Sequence, residues 1–133
     1  MPKILKARRT YSVRSIRRAN RRRKASSLEK DIYAILREEG IPFTREKTIG
    51  RCHADIFIEP FTVVELQGCY WHGCPKCYKT LSKMQKNAQA KDARRFYFFD
   101  KLGFDTQVIW ECELEKNPAA VRAKLCNLYE KAA

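Results

Sequence analysis

Four of the six cysteines are spaced as ligands for one metal ion. Cys69, Cys74 and Cys77 lie within nine residues, and Cys112 follows the last strand-like segment. Two thiolates separated by two residues, as in Cys74-Pro-Lys-Cys77, can bind one zinc ion while amides of the loop hydrogen-bond the sulfurs. A site closed by four protein ligands is structural, so this zinc would hold the loop and do no chemistry.

Three other interpretations of these residues stay open. His72 lies between Cys69 and Cys74 and competes as a zinc ligand, and the cysteines would otherwise form a redox Cys-x-x-Cys pair or a set of buried thiols. Cys52 and Cys126 are expected in the core. If zinc is bound, the protein belongs in a reducing intracellular compartment.

A second group of residues that could do chemistry is acidic. Asp55 opens one apolar segment, and Glu65-Leu66-Gln67 closes the next. On adjacent strands the Asp55 and Glu65 carboxylates would lie about 5 Å apart. Their like charges favour a cation between them, for which Mg2+ is suited. The pattern is D…(D/E)-x-K with Gln67 in place of lysine, although acids at strand ends are also common without any such role.

The elements that must position these side chains follow from periodicity. Ser26 or Ser27 should cap a helix that ends at Gly40-Ile-Pro42, because apolar residues recur at helical spacing between them. Strands are expected at 43–49, 54–58 and 61–66. Residues 68–80 lack any period and predict an irregular loop. A helix at 83–102, a strand at 106–110 and a helix at 118–129 complete an α/β fold with a mixed sheet flanked by helices.

The charge is concentrated at one end of the chain. Residues 1–26 hold eleven Lys and Arg and no acid, and subtracting these from the net +13 leaves about +2 for residues 27–133. We therefore expect a basic arm (1–26), partly helical from Tyr11 to Lys24, and one folded domain (27–133). Such an arm indicates a polyanionic partner, with nucleic acid before anionic membrane. The arm residues expected to contact phosphates are Arg14, Arg17, Arg18, Arg21, Arg22, Arg23 and Lys24.

Composition excludes several classes. No segment has the eighteen or so apolar residues that a membrane span needs, so no membrane association is expected. The basic N-terminus continues into more arginines rather than an apolar segment, which argues against a secretory signal. Its Arg and Ser content also fits an organellar transit peptide, which leaves an organellar matrix open as a location.

Several segments occur in a distinctive order and spacing. They are Ser12–Ile16, Leu28-Glu29-Lys30, Asp55, Gly68-Cys69-Tyr70-Trp71-His72, Asp92 and Trp110-Glu111-Cys112. This pattern resembles the very-short-patch repair endonucleases and the related phage and intron homing endonucleases. The resemblance implies a restriction-endonuclease-like fold of the PD-(D/E)XK type and hydrolysis of DNA to a 5′-phosphate and a 3′-hydroxyl.

The resemblance also implies roles for individual residues. Asp55 would be the principal Mg2+ ligand, helped by the backbone carbonyl of Leu66. His72 would be the general base, since an imidazole has a pKa near neutrality. Glu29 and Asp92 would orient His72 or a water on the metal.

Each supporting residue also has a structural interpretation. Glu29 would complement a helix N-terminus, and Asp92 would be a solvated helix acid. Glu65 and Gln67 complete the set of candidate catalytic residues.

The sequence departs from the repair enzymes in two places. Tyr70 and Trp71 match two aromatics that those enzymes insert into DNA beside a thymine–guanine mismatch, but no Trp stands near Leu81, where the third aromatic is expected. Gln67 replaces a second histidine. The two aromatics could equally pack on the zinc loop.

We therefore expect a Mg2+-dependent, zinc-stabilised endonuclease acting on double-stranded DNA, of the homing or phage type before a mismatch nickase. The alternative is a catalytically silent nucleic-acid-binding component of a larger nucleoprotein assembly, which the arginine-rich arm favours.

Overall fold

A computed structural model of the protein describes residues 26–132. The arm, its expected helix and its seven expected phosphate contacts therefore lie outside the described residues, apart from Ser26. Along this range the elements are α1 (Ser27–Glu38), β1 (Thr44–Ile49), β2 (Cys52–Ile58), β3 (Thr62–Gln67), α2 (Cys69–His72), α3 (Lys83–Lys101), β4 (Asp105–Trp110), α4 (Glu111–Lys116) and α5 (Pro118–Ala132). None of these helices is both long enough and apolar enough to cross a membrane.

The first helix forms as its sequence predicts. The Ser26 hydroxyl accepts a hydrogen bond from the Glu29 amide at 3.2 Å and so caps the N-terminus. Leu28, Ile32 and Leu36 recur at helical spacing and are buried on one face. The helix ends before Gly40, whose φ of +67° suits a residue without a side chain.

The strands form one mixed sheet in the order β1-β2-β3-β4. The first three pair antiparallel as a meander, whereas β4 pairs parallel to β3 with Leu66 opposite Ile109. Parallel pairing requires a crossover connection, and α2 and α3 supply it. The expected mixed α/β fold with helices on the sheet is confirmed.

Each face of the sheet packs against helices. Ile56, Ile58 and Val64 contribute to a core with α1 and α5. On the opposite face, Phe57 and Val63 pack against Phe99 of α3 and its neighbours. By strand alternation Glu65 shares the face of Val63, so the candidate carboxylates point towards α3.

Two short helices were not expected from the sequence. Residues 68–80 were predicted to be irregular throughout, but Cys69–His72 forms one helical turn, α2. Glu111–Lys116 forms α4, whose N-terminal Trp110 amide donates to the Glu113 carboxylate at 2.7 Å. Helices this short contain too few residues to show a helical repeat of apolar positions. They are stabilised by contacts with side chains elsewhere in the fold.

The pairing of β1 with β2 is irregular beside Asp55. The register pairs Arg45 with Ile56 and Lys47 with Ala54, which places Glu46 opposite Asp55, although this pair is not among the bonded partners. Among the residues described, Glu46 is the one non-glycine residue with a positive φ, at 47°. A left-handed conformation costs about 1–2 kcal/mol for a residue with a side chain. The strand is therefore strained next to the candidate site.

Replacing Glu46 with glycine should relieve this strain. We expect Glu46→Gly to raise the free energy of unfolding by about 0.5–1 kcal/mol, after allowing for the extra backbone entropy of glycine. Thr48→Gly is the matched control, because Thr48 lies in the same strand with an ordinary φ, and it should destabilise by a similar amount. Urea denaturation measures both. A loss of stability in Glu46→Gly would show that Glu46 is not strained.

Candidate active site and metal centre

The four cysteines expected to bind zinc come together in the fold. The Sγ atoms of Cys69, Cys74, Cys77 and Cys112 all lie within 4.8 Å of one another. The Cys74 and Cys112 sulfurs are 3.7 Å apart. A tetrahedral zinc site with Zn–S bonds of about 2.3 Å requires sulfurs roughly 3.8 Å apart. This four-cysteine cluster therefore has the dimensions of a closed metal site, and Cys52 and Cys126 lie outside it.

The surroundings of the cluster suit thiolate ligands. Burial raises the pKa of the Cys69 and Cys112 thiols, so both would stay protonated unless a cation binds them. Burial acts in the same direction on Cys74, but hydrogen bonds from the amides of Lys76 and Cys77 outweigh it and lower the pKa. The Cys112 amide also donates to Cys69 Sγ at 3.3 Å. These contacts fit the predicted zinc knuckle.

Helix α3 fixes the loop that carries the cluster. Gln85 Nε2 donates to the Tyr70 carbonyl at 2.8 Å, and Gln89 Nε2 donates to the Gly73 carbonyl at 2.9 Å. Gly73 has a φ of +68°, and a Cβ there would lie 2.8 Å from Leu81. The positive φ and this close approach both favour glycine at the turn between His72 and Cys74.

His72 is bonded to Asp92 and is not among the cysteine cluster. Its Nδ1 lies 2.7 Å from Asp92 Oδ2, which also accepts a hydrogen bond from Gln67 Nε2 at 3.1 Å. An ionised carboxylate can only accept, so Nδ1 carries the proton and Nε2 is left as a base. The imidazole is 28% exposed, which leaves it accessible. The structure therefore places His72 with Asp92 and outside the four-cysteine cluster.

Asp92 is also not a solvated helix acid, because it is buried at 8% exposure. Its sequence neighbours in α3 gave no sign of this, since the helix is polar along most of its length. The partners that bury it, Gln67 and His72, come from β3 and α2.

Glu65 and Asp55 form a pair of adjacent carboxyl groups on β3 and β2. The Glu65 side chain is 1% exposed, and within residues 26–132 its Oε2 atom has no hydrogen-bond partner. Burial raises the pKa of Glu65, and the adjacent Asp55 raises it further. Asp55 is half-buried, and its Oδ2 accepts from the Leu66 amide at 2.9 Å. An orphaned buried oxygen beside a second carboxylate fits a hard divalent cation with oxygen ligands.

Two residues at this site were not identified from the sequence. Arg95 donates to Glu65 Oε1 and to the His53 carbonyl, both at 2.7 Å. Its i,i+3 spacing from Asp92 places both on one face of α3, which is the signal that could have found it. The left-handed conformation of Glu46 has no signal in the sequence around it, because it arises from the pairing of β1 with β2.

Glu29 reaches the same region from α1. Burial raises the pKa of Glu29, and the charges of Asp55 and Glu46 raise it further, while Arg45 opposes the shift. It therefore lies within electrostatic reach of the carboxylate pair as well as in the first turn of its helix. Its place in the first turn of α1 is observed, and a role for Glu29 at the site stays a prediction.

Tyr70 and Trp71 lie on the surface beside His72. They are 54% and 64% exposed, and their rings contact each other edge to face at 5.2 Å. Tyr70 also contacts Tyr78 of the cysteine-bearing loop. Packing on the loop is therefore partial, and both aromatic rings remain available to a partner.

Comparison with known proteins gives a consistent picture. The chain matches no protein-family model. It is 37% identical over 84 residues to the type II nicking enzyme V.NmeAIP of Neisseria meningitidis serogroup A, a match covering 56% of this chain and 59% of that enzyme. The chain therefore spans less than two thirds of that relative.

The fold is similar to the catalytic domain of the homing endonuclease I-Bth0305I. The superposition has a TM-score of 0.62 and covers 81% of this chain and 98% of that domain, with 16% identity. At this identity the likeness concerns the fold alone.

Removing a cluster cysteine should remove the metal. We expect Cys112→Ser to lose bound zinc and to lower the melting temperature by about 10 °C or more, since roughly 2 kcal/mol already shifts a domain of this size that far. Cys126→Ser is the control, because Cys126 lies outside the cluster. Metal analysis of the purified proteins and thermal unfolding measure both effects. Equal zinc content in the two variants would contradict the assignment.

Proposed function

We propose that this protein is a Mg2+-dependent DNA endonuclease of the restriction-endonuclease-like, PD-(D/E)XK type, which hydrolyses a phosphodiester to a 5′-phosphate and a 3′-hydroxyl. The observation that carries the proposal is the His72–Asp92 pair beside the adjacent carboxyl groups of Asp55 and Glu65. A general base next to a cation-binding pair is what attack by water on a phosphodiester needs. The partial homology to a nicking enzyme supports it.

In this proposal His72 acts as the base. Its Nε2 atom takes a proton from the attacking water, while Asp92 holds Nδ1–H and stabilises the imidazolium that results. Gln67 donates to the same Asp92 oxygen and so fixes the orientation of the carboxylate. Glu29 contributes negative charge at the edge of the site.

Asp55, Glu65 and the Leu66 carbonyl would hold the divalent cation. When bound, Mg2+ supplies Lewis-acid stabilisation of the charge that develops on phosphate oxygens. The residues of the chain contribute the negative charge that binds it, namely the half-buried Asp55 and the unpartnered Oε2 of Glu65. Gln67 stands where lysine is usual in this type of site, so a positive charge must come from elsewhere.

The four-cysteine cluster would hold a structural zinc ion. His72 lies in α2 between Cys69 and Cys74, so closing the cluster fixes the turn that carries the base. Zinc in this role supplies no chemistry, since four protein ligands leave no open position.

Double-stranded DNA is the proposed substrate. Tyr70 and Trp71 project beside the base, where they could insert between base pairs at some cost in stacking. One chain carries one set of catalytic groups, which by itself cuts one strand. Nicking is therefore the proposed outcome, in a homing-type or phage enzyme or a mismatch nickase. The alternative remains a silent nucleic-acid-binding component.

Supercoiled plasmid tests the catalytic proposal. We expect the protein to relax the plasmid in Mg2+, whereas His72→Ala and Asp55→Asn should lower the rate by at least about 100-fold, as loss of a general base usually does. His53→Ala and Asp31→Asn are the matched controls, since His53 is the other histidine of the chain and Asp31 is exposed on α1. Both controls should cut at close to the parental rate.

The same assay decides between the two functions. If all five proteins bind DNA equally and none cuts plasmid or mismatched duplex, the silent binding component becomes the better proposal. Equal zinc content in every sample excludes a trivial loss of folding.

The arm should govern affinity rather than chemistry. If about six of its charges meet phosphates, DNA affinity should fall roughly a thousandfold between about 50 and 200 mM salt. Replacing Arg14, Arg17, Arg18, Arg21, Arg22 and Arg23 with glutamine should flatten this dependence. Filter binding across a salt series measures the slope. An unchanged slope would mean that the arm does not contact DNA.

A further inference from the structure

Arg95 lies between the Asp55–Glu65 carboxyl pair and the His72–Asp92 pair of the candidate site. Its Nη2 atom lies 2.7 Å from Glu65 Oε1 and 2.7 Å from the carbonyl of His53, both on the sheet. Its Nη1 atom lies 3.8 Å from Asp92 Oδ1, on the side of the His72 pair. The guanidinium therefore stands between the carboxyl pair that would bind a cation and the residues that would move the proton.

The groups around Arg95 are mainly acidic. Asp55, Glu65 and Asp92 converge on this face of the sheet, and Glu29 adds to them from α1. A phosphodiester is itself an anion, so it meets a repulsive surface wherever the carboxylates are not compensated. Because Gln67 carries no charge, the cationic group in contact with Glu65 comes from α3 and not from the strand.

The guanidinium is only partly used by the protein. Two of its five N–H donors are engaged through Nη2, and across residues 26–132 it makes no other hydrogen bond, since 3.8 Å from Nη1 to Asp92 is too long for one. The side chain is 30% exposed, and Nη1 and Nε are the nitrogens left without a hydrogen-bond partner among these residues. Its plane also lies near the Phe99 ring, with Cζ 5.8 Å from the centroid, which limits its orientation.

We propose that Arg95 binds the scissile phosphate through Nη1 and Nε while Nη2 holds Glu65. This inference rests on the proposed endonuclease function and adds a substrate-binding residue to it. Arginine suits the task because its planar fork can bind two acceptors at once, one in the protein and one in the substrate. Lysine, as a point charge, can replace the charge but not the two-sided geometry.

Arg94 provides a matched control. It is the neighbouring residue on α3, carries the same charge, and is exposed on the outer side of the helix. Arg94→Ala removes one positive charge from the same helix without touching Glu65 or Asp92. Any effect that comes only from lowering the net charge should appear equally in both variants.

The experiment compares plasmid nicking by the parent, Arg95→Ala, Arg95→Lys and Arg94→Ala at matched zinc content and confirmed folding. We expect Arg95→Ala to lower kcat/KM by about 100-fold or more, as removal of a transition-state donor typically does. Arg95→Lys should recover part of the rate, and Arg94→Ala should stay within about threefold of the parent, as loss of one surface charge would allow.

Chemical rescue separates phosphate binding from a purely structural role. Millimolar guanidinium should restore part of the Arg95→Ala rate, whereas tetramethylammonium at equal ionic strength should not. Neither cation should alter Arg94→Ala. If Arg95→Ala does not fold, Arg95→Lys decides, because a folded lysine variant at the parental rate overturns the proposal.

The outcomes distinguish the two proposals. A parent that cuts, with Arg95→Ala cutting equally well, overturns the role of Arg95 and leaves the endonuclease function in place. Loss of activity in Arg95→Ala without rescue by guanidinium also overturns it, since Arg95 would then act only on the fold. A parent that does not cut overturns both.

Discussion

The structure is organised around a carboxylate buried in a β-sheet. Glu65 sits on β3 with 1% of its side chain exposed, where an uncompensated charge would cost several kcal/mol. The protein compensates half of it, by a 2.7 Å contact from Arg95 to Oε1, and leaves Oε2 without a partner among residues 26–132. A fold selected for stability alone would more readily place an apolar residue there. The raised pKa of this carboxyl means that it stays protonated until more positive charge is present, and our proposal is that a divalent cation supplies that charge.

Helix α3 supplies the arginine that contacts Glu65, and it also contacts the loop that carries the cysteine cluster. Gln85 and Gln89 dock the cysteine-bearing loop, Asp92 holds His72, and Arg95 reaches Glu65. Residues spaced three and four apart share one side of a helix, so a single face of α3 contacts the loop, His72 and Glu65. Movement of α3 would therefore disturb the contacts of His72, Glu65 and the cysteine-bearing loop together.

The cysteine cluster holds the loop that precedes α3 in the chain. The loop between β3 and α3 has little apolar content and could not hold its shape by burial. Four converging cysteines that could hold a metal ion take the place of a hydrophobic core, and the left-handed turn at Gly73 lies between His72 and Cys74 of the cluster. The cysteine cluster and the proposed base, His72, are thus adjacent in sequence, but His72 contacts Asp92 and not the cysteines.

Sequence reasoning reached most of the fold and part of the site. Periodicity and caps located α1, α3, α5 and the four strands because each buries a regular set of apolar residues. The cysteine spacing located the cluster, since ligand chemistry requires it. The short α2 and α4 and the contacts of Asp92 and Arg95 depend on side chains distant in sequence, and the left-handed Glu46 depends on strand pairing. None of these leaves a local pattern.

The most direct test of the account is whether Asp55 and Glu65 bind a divalent cation. Electron paramagnetic resonance of Mn2+ measures this without DNA, because the free ion's signal is lost on binding. With the cysteine cluster filled by zinc, the parent and Asp31→Asn should both bind Mn2+, and Asp55→Asn should not. Equal binding by Asp55→Asn, or none by the parent, would contradict the account.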